Sequence, residues 1–227
     1  MPVKTEAIPQ DGDRDDDKEM KKFVLYAAVF GKKSRFRKPI ISGLDMDKVL
    51  YTDLPRLLNE DHVFYDVKET NLDHLDPVRR NRFMKICIPD EIFYNYEYSL
   101  YMDYKHPSEI NFDEMLSCLE PGSDILLNTR HYHRDCVYDE GIVCIERKKD
   151  NEKDILRQLS FYRSKGYPVH NGLYANWWLF RRHTKKMREF SKAWWAHVEK
   201  YSCRDQISLP YVEWKHGFKI SVYRGKK

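Results

Sequence analysis

The sequence predicts a single α/β domain with a mixed, mainly parallel central sheet flanked by helices. Three observations carry this expectation. A chain of 227 residues with 41% apolar content can bury one substantial core. The stretch "FVLYAAVFG" is apolar at successive positions, as a strand covered on both faces is. Runs of this kind alternate with helical periodicities along the chain, the order that builds a parallel sheet between helices.

Residues 1–21, "MPVKTEAIPQDGDRDDDKEMK", combine Pro, Gly and a dense acidic block, which predicts a disordered leader and a folded domain over 22–227. Residues 23–31 form the first strand, closed by Gly31, and "KKSRFRK" then brings charge to its carboxyl end. In "DKVLYTDLP" a second strand covers Val49 to Thr52, with Asp53 at its end and Pro55 blocking continuation. "LDPVRRNRFMKICIPDEIF" opens a helix, Asp76 being the N-cap and Pro77 the first helical residue. Arg79, Arg82 and Lys85 recur every third residue, on one side of that helix. Such a basic face either meets a ligand or is simply solvated.

"YSLYMD" and "SDILLNTR" (123–130) are further strands ending in polar residues, and a helix follows over 153–165, stopped by Gly166 and Pro168. "HNGLYANWWLFRRHT" joins a Gly turn to an aromatic strand. "KKMREFSKAWWAHVEKYS" is a helix whose Met187, Phe190, Trp194, Val198 and Tyr201 share a core face. The alternating "FKISVY" reads as an edge strand.

Forty Lys and Arg against 36 Asp and Glu leave a net charge of +4, spread along the chain. That balance argues against nucleic acid as a partner and suits a small phosphorylated ligand. Aromatics reach 14%, with 16 Tyr and five Trp, enough for a core and for stacking on rings of a ligand. Five cysteines make no CxxC pair, which points to a reducing, cytoplasmic setting. No apolar run is long enough to span a bilayer, so membrane contact is expected to be peripheral at most.

In open α/β sheets ligands bind beyond the carboxyl ends of the strands. Gly31, Asp53, Asp103 and Arg130 are the candidate ends. Asp53 is placed to accept from a base or ribose, and Asp103 to hold a divalent ion bridging phosphates, since Mg2+ and Mn2+ commonly take only one or two protein carboxylates. His131, Arg134, Asp135 and Glu140 in "HYHRDCVYDE" form a polar cluster able to grip hydroxyls or supply a base, or else a solvated loop. Asn176, Trp177 and Trp178 stand in the aromatic strand, where a Trp either stacks on an acceptor ring or is buried.

The stretches "VLYAAVFG", "LYTDLP", "RRNRFMKICIPDEIF", "YSLYMDYK", "NTRHYHRDCVYDEG" and "SCRDQISLPYV" resemble, in that order, small glycosyltransferases of the A-type fold known from viral, bacterial and plant sequences. The likeness covers about residues 22–212. It implies a transferase using a nucleoside diphosphate sugar, with uridine as the base. Phe30, Gly31 and Asp53 would embrace the nucleoside, and Arg79, Arg82 and Lys85 would reach the diphosphate. The family's central strand ends in Asp-x-Asp, whereas this chain has Asp103, Tyr104, Lys105. Asp103 then binds Mn2+ or Mg2+, and either Lys105 replaces part of the metal's charge at the diphosphate or His106 contributes a second ligand. The resemblance also puts Asp205 of "RDQ" near the acceptor as general base; the residues themselves offer Asp135 as its substitute and His131, Arg134, Glu140, Asn176 and Trp177 as acceptor contacts. The other reading of Asp205 is an N-cap. His183 and His216 are candidate late metal ligands. The expected reaction moves a hexose or deoxyhexose to a hydroxyl of a glycan or glycoconjugate. Two rival readings are a binding protein of the same fold without turnover, and a metal-dependent nuclease using Asp135, Glu146 and Lys148.

Overall fold

The computed structural model describes residues 20–31, 40–41, 46–54, 66–70, 72–103 and 109–224, with the backbone alone at 40–41 and 109–110. Most of the acidic leader, "KKSRFRK", Pro55, Lys105 and His106 lie outside the described residues. The strands are β1 (Lys21–Val29), β2 (Ile40–Ile41), β3 (Asp47–Thr52), β4 (Asp66–Glu69), β5 (Tyr96–Met102), β6 (Glu109–Ile110), β7 (Ile125–Arg130), β8 (Tyr174–Arg182) and β9 (Ser221–Val222). The helices are α1 (Pro77–Ile86), α2 (Asp90–Asn95), α3 (Phe112–Cys118), α4 (Val137–Glu146), α5 (Glu152–Ser164), α6 (Lys185–Lys200) and α7 (Asp205–His216).

Seven strands make the main sheet in the order β4-β3-β1-β5-β8-β7-β9, while β2 and β6 pair separately. The ladders β1 with β3 and β5, β3 with β4, and β7 with β9 are parallel. Only β8 runs against its neighbours, antiparallel to both β5 and β7. The carboxyl ends of β3, β1, β5 and β7 therefore share one rim, which the amino end of β8 completes. Asp53, Gly31, Asp103 and Arg130 fall along it, as the strand assignments required.

Alternation along β1 explains its unbroken apolar run. Leu25, Ala27 and Val29 enter a core with Phe112 and Met115 of α3. Val24, Tyr26 and Ala28 enter the larger core, which holds Met84 of α1 and Met187, Phe190, Trp194 and Val198 of α6. The expected helical face of α6 is thus the buried one.

α1 is fastened at both ends. At its start Asp76 accepts from the amides of Val78 and Arg79 at 2.9 and 3.1 Å, with Pro77 at the first helical position, satisfying donors that have no partner within the helix. At its end the fully buried Arg181 of β8 donates from Nη1 to the carbonyls of Lys85 and Ile86 at 2.9 and 3.0 Å. Its Nη2 bonds the Tyr26 hydroxyl, which in turn donates to Met84 O at 3.1 Å. Arg182, the next residue, points the other way and is exposed, as strand alternation demands.

His183 was a candidate metal ligand, and the fold overturns that. Its Nδ1 lies 2.6 Å from Tyr96 O and its Nε2 2.8 Å from Ser99 Oγ, at the amino end of β5 and so opposite the rim. His216 is exposed at the end of α7. Among the described residues no helix is long and apolar enough to cross a membrane.

Candidate functional site

The site grows from the meeting of α1, β5, β8 and the start of α7. Asp103 follows β5, its amide bonded to Trp177 O at 2.8 Å, which ties the strand end to β8. One carboxylate oxygen accepts from the Tyr101 hydroxyl at 3.1 Å. The other lies 3.8 Å from Lys85 Nζ, and the side chain keeps 24% of its surface exposed. Burial, and then the Asp103 charge, hold the Tyr101 hydroxyl far above its ordinary pKa, so it remains a proton donor to Asp103.

Below Asp103 lies a buried charge cluster. Lys85 Nζ bonds Asp205 Oδ2 at 2.6 Å, and Arg82 Nε sits 3.2 Å from Asp205 Oδ1. Asn176 of β8 donates to Asp205 Oδ2 at 3.0 Å. Helical side chains lean toward the helix amino terminus, which carries the long Lys85 stem back toward the rim. Burial alone would raise the Asp205 pKa, but Arg82 and then Lys85 outweigh it and hold the group well below the usual carboxylate range. The same attraction raises the Arg82 pKa against its desolvation.

Two site expectations are corrected here. Asp205 is not an N-cap: Arg204 takes that position and Asp205 is the first residue of α7, where a carboxylate also favours the helix dipole. The solvated reading of the basic face fails at Lys85, only 1% exposed. Arg79 diverges from its two partners. It bonds Asp76 at 3.1 Å and Tyr201 O at 3.0 Å, so it joins α1 to the end of α6 instead of reaching Asp103.

Along the rim, Asp53 accepts from Gly31 N at 3.1 Å and from Arg80 Nη1 at 2.9 Å. Gly31 has φ +85°, and a Cβ there would lie 3.0 Å from Pro77 Cβ. Glycine is needed for both the backbone conformation and the close approach of the helix. Phe30, expected to touch the nucleoside, is 2% exposed and belongs to the core; the chain's turn at Gly31, not the ring, meets the rim. Arg80 was not singled out from sequence because a run of arginines gives no sign of which member turns inward.

The polar loop after β7 is divided. Glu140, at 1% exposure, pairs with Arg134 at 2.7 Å and accepts from Cys144 at 3.3 Å. Burial there removes it from the open acceptor surface expected of it. His131 Nδ1 accepts from the amides of His133 and Arg134 at 3.3 and 3.1 Å, and burial together with Arg134 lowers its pKa. Asp135 remains exposed and pairs with His170 Nδ1 at 2.8 Å. Asn176 is buried against Asp205 in the floor, whereas Trp178 is buried and Trp177 half-buried with the core of Leu25, Phe112 and Phe180, so neither Trp offers an open stacking surface. Arg130 lies over the Tyr174 ring at 4.6 Å.

The nuclease reading fails on distance. Asp135 precedes α4 and Glu146 ends it, so at a rise of 1.5 Å per residue they stand roughly 15 Å apart, too far to share an ion.

A divalent ion fits this rim to a defined extent. Asp103 offers a partly exposed carboxylate, one oxygen bonded by Tyr101 and the other 3.8 Å from Lys85 Nζ, enough for an ion that takes one protein carboxylate and completes its shell with phosphate oxygens and water. Asp205, with its oxygens engaged, does not offer a second.

Residues 66–224 match the model of a family described as TOD1/MUCI70, glycosyltransferase-like domain. No curated protein matches the chain. Among solved structures, mouse xyloside xylosyltransferase 1 in its apo form matches with a TM-score of 0.49 and 10% identity, over 88% of this chain and 84% of that one.

Proposed function

The chain belongs to the TOD1/MUCI70 glycosyltransferase-like family, and from that premise we propose that it transfers a sugar from a nucleoside diphosphate, uridine being the base, to a hydroxyl of a glycan or glycoconjugate. The observation that carries the reading is the convergence of Asp103, Lys85, Arg82 and Asp205 at the carboxyl rim of a mainly parallel sheet.

Departure of a nucleoside diphosphate builds negative charge, and fixed cations aimed at that charge lower the barrier. Lys85 and Arg82 supply them, held in place before substrate arrives because Asp205 neutralises and orients both. This assigns Asp205 a positioning role. A general base needs a pKa near the working pH, and a carboxylate pinned by two cations lies far below it. Asp103 would hold Mn2+ or Mg2+, which supplies Lewis-acid stabilisation of the diphosphate. The Tyr101 hydroxyl fixes one Asp103 oxygen, and the other, 3.8 Å from Lys85 Nζ, would meet the metal. Arg80 and Asp53 keep the turn at Gly31 against α1, which shapes the nucleoside end of the site.

Calorimetric titration of UDP with and without Mn2+, followed by transfer and donor-hydrolysis assays across UDP- and GDP-sugars, tests this. UDP should bind at least tenfold more tightly with the metal, and Asp103→Ala should remove that gain. Failure of every nucleoside diphosphate to bind overturns the proposal, and binding without turnover on any donor leaves the binding-protein reading in its place.

A further inference from the structure

A second group of metal-binding side chains lies outside the Asp103 cluster. Cys136, Asp139 and His170 bring a thiol sulfur, a carboxylate oxygen and a ring nitrogen within 4.8 Å of one another. Cys136 is the N-cap of α4 and Asp139 stands in its first turn, three residues on and therefore on the same side of the helix. His170 comes from the turn before β8 and has φ +53°, a left-handed conformation that costs energy for a residue with a Cβ. It is also one of only two non-glycine residues with positive φ among those described. The two loops are bound together apart from these side chains, Gly172 N donating to Asp135 O at 2.7 Å.

We propose that Cys136, Asp139 and His170 form a transition-metal site selective for Zn2+. The set pairs a soft thiolate with imidazole and a carboxylate, a combination that favours Zn2+ and disfavours the hard ions suited to Asp103. The surroundings have the expected outer shell as well. Asp135 Oδ1 lies 2.8 Å from His170 Nδ1, leaving Nε2 for the metal, and a carboxylate on the far nitrogen is the usual way a ligating imidazole is oriented. Bonds of about 2.0–2.3 Å in a tetrahedral shell place ligand atoms about 3.3–3.8 Å apart. Closing the remaining distance of at most about 1.5 Å falls to Asp139 and His170, both exposed, moving toward the buried Cys136. Three protein ligands leave a fourth position for water or a ligand atom. On binding, the Cys136 thiol gives its proton to solvent and the sulfur donates an electron pair to the metal, with no change of oxidation state.

The site is independent of the glycosyltransferase reading and is tested without activity. The full-length protein, stripped with chelator, is titrated with Co2+ as a spectroscopic stand-in and then with Zn2+ in competition. The expected result is a thiolate-to-Co2+ charge-transfer band at one equivalent, displaced by Zn2+. The band should be absent in Cys136→Ser, at least tenfold harder to saturate in His170→Ala, and unchanged in Asp103→Ala. His170 is exposed, so its variant should remain folded if Cys136→Ser does not. No band in the wild type, or the same titration in His170→Ala, overturns the assignment.

Discussion

The two carboxylates at positions 205 and 135 have the same side chain and opposite circumstances. Asp205 lies in the floor between α1 and α7, 2% exposed, with Lys85, Arg82 and Asn176 on its oxygens. Asp135 stands in the loop above, in water, paired with one histidine. Both have pKa values below the ordinary one, but for different reasons. Fixed cations overcome burial at Asp205, whereas at Asp135 a single hydrogen bond from His170 suffices because little desolvation opposes it. A lowered pKa alone therefore distinguishes neither a structural from a reactive carboxylate; what matters is how many partners would be left stranded if the charge were lost.

The largest effect should come from Asp205→Ala. It leaves two cations buried without their counter-charge and is expected to cost about 3–5 kcal/mol, read from urea unfolding. If the loss is under 1 kcal/mol, the floor is not a coupled unit. Its pH dependence has a definite sign. The folded pKa of Asp205 is depressed, so its contribution is complete above the unfolded value of about 3.9 and is lost as pH falls below it toward the folded pKa. Asp205→Asn should flatten the stability curve below about pH 4 and leave its shape near neutrality unchanged.

Asp103→Asn should separate binding from stability. The side chain is partly exposed, its amide oxygen still accepts from the buried Tyr101 hydroxyl, and Lys85 keeps Asp205, so unfolding should change by under about 0.5 kcal/mol while metal-dependent UDP binding falls at least tenfold. Equal losses in both would make Asp103 part of the floor. The smallest effect belongs to the loop. Asp135→Asn in metal-free protein should leave the melting temperature unchanged within error, since an exposed ion pair is weakened by water and salt; a clear drop would place the loop in the folding core.

These contrasts also mark what the sequence could disclose. β1 was legible because both of its faces are buried, and the start of α1 because Asp76 and Pro77 act within a few residues of each other. The four strand ends were legible once their direction was inferred, since a parallel sheet forces them onto one rim. Arg181 was hidden. It stands in "FRRHT", where a charged pair suggests solvent, and only its long-range partners Lys85, Ile86 and Tyr26 explain its burial. The partners of Asp205 were concealed likewise, more than a hundred residues away in sequence for Lys85 and Arg82. Glu140 and Asn176 were found as polar residues near a strand end, but their burial depends on packing that residue type does not report.

The two-ended fastening of α1 has one more consequence. A helix displaced by a single residue turns its side chains through about 100°, which would swing Lys85 and Arg82 off Asp205 altogether. Pro77 against Gly31 at one end and Arg181 at the other thus fix an angle as well as a position. The bearing of the two cations at the rim is set from the opposite end of the strands, so a change at Arg181 should be felt first as a misdirected charge and only then as a weaker fold.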